Sequence, residues 1–228
     1  MNLFLTSVGE SVRSIDSLKK LINGRTKLIV LPFAHEFDWL SCAEDVWEKY
    51  DRTPQTKNSI FYKTVKPFID IGININNIVV INRFTDPVPL IKHKLLANNT
   101  IVFLPGGRPE NIVKILYELD LVNTIKKCET IVGESAGSMI WSKHYFVYPD
   151  ADYSKYRKFK GLGLIKDCVF IPHYVLYGPK EHILKATRRF SIFNKDTVYL
   201  TEDGGWIHYN TAMRKIIDRV KSIKYKRR

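Results

Sequence analysis

Short apolar runs rich in β-branched residues alternate along this chain with stretches in which apolar residues recur every three or four positions. The runs Leu3–Thr6, Leu28–Phe33, Ile78–Ile81, Ile101–Leu104, Thr130–Val132, Val169–Ile171 and Val198–Leu200 predict strands. Between the first two, Val12, Ile15, Leu18, Leu21 and Ile22 keep helical spacing, and Asn23-Gly24 supplies a stop. Between the fourth and fifth, Pro109 stands at a first helical position, and Ile112, Val113, Leu116 and Leu119 form one apolar stripe. Such alternation implies parallel strands joined by crossover helices and covered on both faces. The expected fold is therefore α/β: a doubly wound, mainly parallel sheet flanked by helices, in a single domain over residues 1–228. Gly204-Gly205, between Leu200 and Trp206–Tyr209, predicts a tight turn closing an antiparallel pair. The stretch after Asn210 has no decisive pattern.

Composition narrows this picture. The chain has 228 residues, 45% hydrophobic and 26% charged, which excludes collagen-like and disordered classes. No stretch approaches the roughly 20 apolar residues of a spanning helix, so no membrane partner is expected. The opening run from Met1 to Ser7 lacks a basic flank and reads as a first strand rather than a signal peptide. Three widely spaced cysteines, Cys42, Cys128 and Cys168, fit a reduced, cytoplasmic compartment better than a disulfide framework. They also lack metal-ligand spacing.

A net charge of +13 raises acidic substrates and nucleic acid as partners. Yet the basic residues are dispersed, and their densest run, Lys221 to Arg228, reads as a solvated terminal tail. No zinc-finger or RNA-binding-sheet pattern is present.

The chemistry concentrates at Ile131-Val132-Gly133-Glu134-Ser135-Ala136-Gly137-Ser138-Met139, where an apolar strand enters Gly-x-Ser-x-Gly and passes directly into a helical pattern. That is the context of a nucleophile elbow. The strained turn exposes the serine at a helix N-terminus, where amides favour developing negative charge. A second strand ends in Leu104-Pro105-Gly106-Gly107, and the amides of Gly107 and Ala136 are candidate oxyanion donors. A serine nucleophile needs a base. Among six histidines His173 is the best placed, just past the strand Val169–Ile171. Its orienting acid is either Asp150 or the pair Glu202-Asp203, and the residues themselves do not choose.

Gly-x-Ser-Ala-Gly after a strand, an upstream Pro-Gly-Gly loop, a downstream Pro-His, the opening Leu-Phe-Leu-Thr-Ser and the late Gly-Gly-Trp-Ile together resemble the S51 serine peptidases. That family includes peptidase E (an aspartyl dipeptidase) and the cyanophycinases, and the resemblance spans nearly the whole chain. It implies a class I glutamine amidotransferase-like fold and a serine exopeptidase, dipeptidase-like, acting on short peptides with N-terminal aspartate among the candidates. It requires no metal or organic cofactor. The nucleophile falls on Ser135 and the histidine on His173. The aspartate that peptidase E carries fifteen residues after its serine falls on Asp150, the first choice of acid, with Glu202 and Asp203 in reserve. Three features depart from the family. The glycine loop continues Arg108-Pro109-Glu110 instead of Gly-Asn-Thr, and Glu134 stands where peptidase E has tryptophan. The basic group that would read an aspartyl side chain has only the stand-ins Lys180, His182 and Arg188.

Two other readings compete. A non-catalytic relative would use its basic surface to bind nucleic acid or a protein. An unrelated α/β-hydrolase would need a late histidine, for which His208 is the sole candidate.

Overall fold

The computed structural model describes residues 1–35, 40–50, 60–149, 153–166, 168–174, 180–194 and 197–225. Its strands are β1 (Asn2–Thr6), β2 (Lys27–Val30), β3 (Ile78–Val80), β4 (Thr100–Leu104), β5 (Thr130–Glu134), β6 (His144–Val147), β7 (Arg157–Lys160), β8 (Cys168–Ile171), β9 (Thr197–Asn210) and β10 (Lys215–Tyr225). Its helices are α1 (Asp16–Lys19), α2 (Ala43–Lys49), α3 (Ile60–Asp70), α4 (Val88–Leu96), α5 (Pro109–Glu118), α6 (Val122–Ile125), α7 (Ala136–Met139) and α8 (Lys180–Asn194). All seven strands expected from the sequence are present, and Pro109 opens α5 as its position implies. The helical spacing from Val12 to Ile22 is realised as a 3-10 turn, Gly9–Ser14, followed by the single turn of α1.

The main sheet has the order β10-β9-β1-β5-β4-β2-β3, with β8 paired to β9. The five strands from β1 to β3 in this order are parallel. β9 runs antiparallel to both β1 and β10. Apolar side chains alternate between two cores, one on each face. Leu3, Leu5, Ile29, Val102, Leu104 and Ile131 pack on one side, and Phe4, Leu28, Val30, Ile101, Phe103 and Val132 on the other. That two-sided burial is why these strands read as continuous apolar runs.

Two sequence expectations are corrected. Gly204-Gly205 makes no hairpin turn, because β9 continues through it to Asn210. The reversal comes instead at residues 211–214, where the Asn210 side chain accepts the Met213 N–H at 3.0 Å and Arg214 takes φ 50°. Within β9 the ladder to β10 jumps from Val220↔Trp206 to Ser222↔Thr201. Residues 202–205 therefore bulge out opposite a single residue, and Gly204 with φ 81° accommodates the bend. The basic run beginning at Lys221 is also no loose tail, since as far as Tyr225 it is the second half of β10. The antiparallel ribbon β6–β7 was not foreseen. Cys42, Cys128 and Cys168 are all free. No helix among the described residues is long and apolar enough to cross a membrane.

Candidate active site

The site forms at the carboxyl end of β1, where chains arrive from both sides. On one side β5 pairs Thr6 with Glu134 and delivers Ser135. On the other, β9 pairs Thr6 with Trp206 and presents its bulge. β8 runs antiparallel to β1 and meets β9 at Ile171↔Leu200, so His173, two residues further, arrives level with Glu202 and Asp203. Neighbouring strands lie about 4.8 Å apart, so the β5 and β9 contributions are separated by roughly two strand spacings.

Ser135 has φ 48° and ψ −112°, a conformation costly for any side chain and typical of a strained elbow. Its surroundings enforce the turn. The Ser135 N–H donates to Thr6 O at 2.9 Å. The Ser138 hydroxyl lies 2.7 Å from both Thr6 O and Gly133 O. The helix that follows runs so close to β4 that a Cβ on Gly137 would lie 2.1 Å from Leu104 O, and one on Gly133 would lie 2.3 Å from Gly137 O. The two glycines of Gly-x-Ser-x-Gly are thus required by backbone contact.

The loop after β4 also comes close to the serine. A Cβ on Gly106 would lie 3.2 Å from Ser135 Cβ. Gly107 adopts φ 126° with Ala34 O beneath it, and Arg108 N–H donates to the same oxygen at 3.1 Å. Ala136 opens α7 directly after the serine.

His173, with φ 55°, is held from two directions. Its backbone N–H donates to Ser7 Oγ at 2.9 Å, and that hydroxyl lies 3.3 Å from both His173 Nδ1 and Asp203 Oδ1. His173 Nδ1 pairs directly with Asp203 Oδ1. An Nδ1–H given to a carboxylate leaves Nε2 with its lone pair, the form a general base requires. Glu202, next to Asp203, accepts instead from Tyr174 OH at 3.0 Å. Asp150, the first choice of acid on the family pattern, lies outside the described residues. Ser7, which bridges histidine and acid, was missed in the sequence. Its signals were its place just past the first strand and its place in the opening Leu-Phe-Leu-Thr-Ser.

Glu134 is partly buried beside the serine. Its Oε1 accepts the Gly9 N–H at 2.9 Å. Burial raises its pKa above the ordinary carboxylate value, opposed by the backbone of Gly9 and Gly106 and by His173. Buried Tyr50 is pushed up mainly by desolvation and secondarily by the Glu134 charge, and its hydroxyl lies 2.9 Å from His35 Nδ1.

The three substrate-binding candidates all lie on α8. Lys180 begins α8, and its side chain is outside the described residues. Arg188 is exposed on the same helix. His182 lines a groove of about 830 Å3 with Tyr156, Lys158, Lys185, Arg189 and Phe190. His208 is a core residue: its ring stacks on Phe4 at 4.2 Å and its Nε2 lies 3.1 Å from Asn2 Oδ1. It sits towards the opposite end of β1 and cannot serve as the base. No group of three or more His, Cys, Asp or Glu among the described residues is arranged to hold a metal.

The sequence matches peptidase family S51 over residues 52–217. Solved structures with similar folds include a putative peptidase E protein from Listeria monocytogenes EGD-e. It is 18% identical, the match covers 100% of this chain and 98% of that one, and the TM-score is 0.61. A peptidase from an acI-B1 Actinobacterium is 16% identical over 92% of this chain and 83% of its own, with a TM-score of 0.56. None of the curated proteins matches.

Proposed function

From the premise that this chain belongs to peptidase family S51 and is a serine peptidase, we propose that it is an exopeptidase of short peptides that works through Ser135, His173 and Asp203. Ser135 Oγ attacks the scissile carbonyl while His173 Nε2 takes its proton. The same proton passes to the leaving amine, and the acyl-enzyme is then hydrolysed by a water that His173 activates. Asp203 holds the Nδ1–H tautomer and stabilises the imidazolium. The amides of Gly107 and Ala136 receive the oxyanion. The observation that carries this reading is the His173 Nδ1–Asp203 pair, bridged by Ser7 at the same strand end that binds the strained Ser135 through Thr6. It replaces Asp150 as the acid, because Nδ1 has a single hydrogen to give. The excess of positive charge favours the approach of acidic substrates, so peptides with N-terminal aspartate head the candidate list.

The test is mass-spectrometric hydrolysis of a dipeptide panel with α-aspartyl members and N-blocked and longer controls, comparing wild type with Ser135→Ala. Ser135-dependent cleavage restricted to free-amine dipeptides is expected. Cleavage of N-blocked or long peptides would refute the exopeptidase reading, and cleavage that survives Ser135→Ala would refute the nucleophile.

A further inference from the structure

Three elements meet at one buried hydroxyl. Ser7 stands one residue past the end of β1 and is fully buried. Its neighbour Thr6 serves the nucleophile: Thr6 O takes the Ser135 N–H, and Thr6 Oγ1 donates to Gly133 O at 3.0 Å. Ser7 serves the other half of the site. Its backbone N–H donates to Gly205 O at 3.0 Å, which carries the β1–β9 pairing into the bulge of residues 202–205. Its hydroxyl reaches further along the same bulge, to Asp203 Oδ1 at 3.3 Å. That hydroxyl oxygen also accepts the His173 N–H at 2.9 Å. One residue thus joins β1, the bulge of β9 and the turn after β8.

Both of its partners need holding. Asp203 is 45% exposed, and a carboxylate so placed has rotamers open to it that face water. His173 takes φ 55°, a backbone conformation that persists only where its surroundings fix it. Its N–H turns to Ser7, and only the next residue, Tyr174, returns to β9 by donating to Thr201 O at 3.2 Å. The bonding capacities match. The hydroxyl's single hydrogen serves Oδ1, and its lone pairs face the His173 N–H. We propose that Ser7 is the positioning residue of the His173–Asp203 pair: its hydroxyl sets both the direction of the carboxylate and the backbone of the histidine. This rests on the serine-peptidase mechanism above and adds a residue to it.

Three variants separate the hydroxyl from the space it fills. Threonine keeps the hydroxyl, cysteine keeps the shape but is a weak donor and acceptor, and alanine removes the group. The first measurement is the 15N spectrum of the His173 ring, its signals identified by their loss in His173→Gln. Wild type should hold the Nδ1–H tautomer, and Ser7→Thr should keep it. Ser7→Ala and Ser7→Cys should show a mixture with the Nε2–H form. A spectrum unchanged in Ser7→Ala, or rescue by cysteine and not by threonine, overturns the proposal; the threonine–cysteine comparison stands even where the alanine variant does not fold. The second measurement is the rate of Ser135 labelling by a small fluorophosphonate, in which serine Oγ displaces fluoride from phosphorus and its proton passes to His173. Ser7→Ala should slow labelling by about tenfold or more, the scale of a misaligned catalytic group, and a smaller loss overturns its part in the chemistry. Asp203→Asn should cost at least about threefold less in the Ser7→Ala background than in wild type, because an unheld carboxylate has less to lose. An equal cost in both backgrounds shows independent action and overturns the coupling. Wild-type protein that resists the reagent would count against the nucleophile reading, and the ring spectrum would still decide whether Ser7 holds the pair.

Discussion

Replacing Asp203 by asparagine tests the assignment of the acid. At a separation of about 4 Å, opposite charges attract by roughly 4 kcal/mol at an effective dielectric near 20. Asp203 is 45% exposed, and screening at such a position cuts the attraction to about 2 kcal/mol. That much stabilisation of the imidazolium is worth about 30-fold in rate. Asparagine also offers an N–H to Nδ1 and so favours the tautomer whose Nε2 is already protonated, which adds a further factor of about ten. Asp203→Asn should therefore slow acylation of Ser135 by roughly 10²–10³-fold, less than for a fully buried acid. Asp203→Ala should lose somewhat less, since Ser7 Oγ lies 3.3 Å from Nδ1 and can accept the Nδ1–H hydrogen bond in the carboxylate's place. Asp150→Asn should stay within about threefold of wild type, because one Nδ1 hydrogen serves one carboxylate. The assay is the rate of fluorophosphonate labelling at neutral pH, which needs no knowledge of the natural substrate, backed by hydrolysis of the best dipeptide. A loss confined to Asp150→Asn, with Asp203→Asn near wild type, would refute the reasoning.

Other consequences follow from the same geometry. Ser135→Gly should abolish hydrolysis while raising thermal stability, since strain of about 1–3 kcal/mol at φ 48° is released against a glycine entropy cost of about 0.5–1. For a chain of this length the net gain is about 3 °C in calorimetric Tm, and a lower Tm would contradict the strain argument. Gly137→Ala should destabilise by about 3 kcal/mol or more in denaturant titration, because the new Cβ would lie 2.1 Å from a backbone oxygen that cannot move aside. Stability within error of wild type would show that the turn has slack. Burial raises the pKa of Glu134, so folding favours its neutral form. Relative to Glu134→Gln, wild type should lose stability as pH rises from the ordinary carboxylate value through the raised one, then level off. A Tm difference independent of pH would contradict that direction.

The alternation of apolar runs and helical stripes was enough to place seven strands and the Pro109 helix, because strands buried on both faces need apolar residues throughout. The pattern failed where pairing is long-range. β6 and β7 form a two-stranded ribbon; β7 is mostly exposed and carries Arg157, Lys158 and Lys160, so it lacks the apolar signature of a core strand. β10 is likewise largely exposed over its first half and reads as a terminus until β9 is there to pair with it. Gly204-Gly205 misled for a physical reason. Two adjacent glycines mark a place where the backbone must depart from regular geometry, but turn and bulge make the same demand on φ. Only the partner strand decides between them.

The same ambiguity explains why the proposed nucleophile has a local signature and the proposed acid has none. Ser135 is defined by its own neighbours: strand, Gly-x-Ser-x-Gly and helix occupy one continuous segment, and steric necessity writes the glycines into it. The acid is defined by a register. Asp203 reaches His173 because β9 bulges over residues 202–205, because β8 pairs with β9 at Ile171↔Leu200, and because β1 sets Ser7 between them. Three separate pairings place one carboxylate, and no local pattern encodes them. Glu202 and Asp203 are adjacent in sequence, yet the alternation of the strand sends one to Tyr174 and the other to His173. A one-residue shift in the bulge would exchange their roles. Gly204, one of the two glycines that imitate a hairpin, takes φ 81° within the bulge that brings Asp203 to His173.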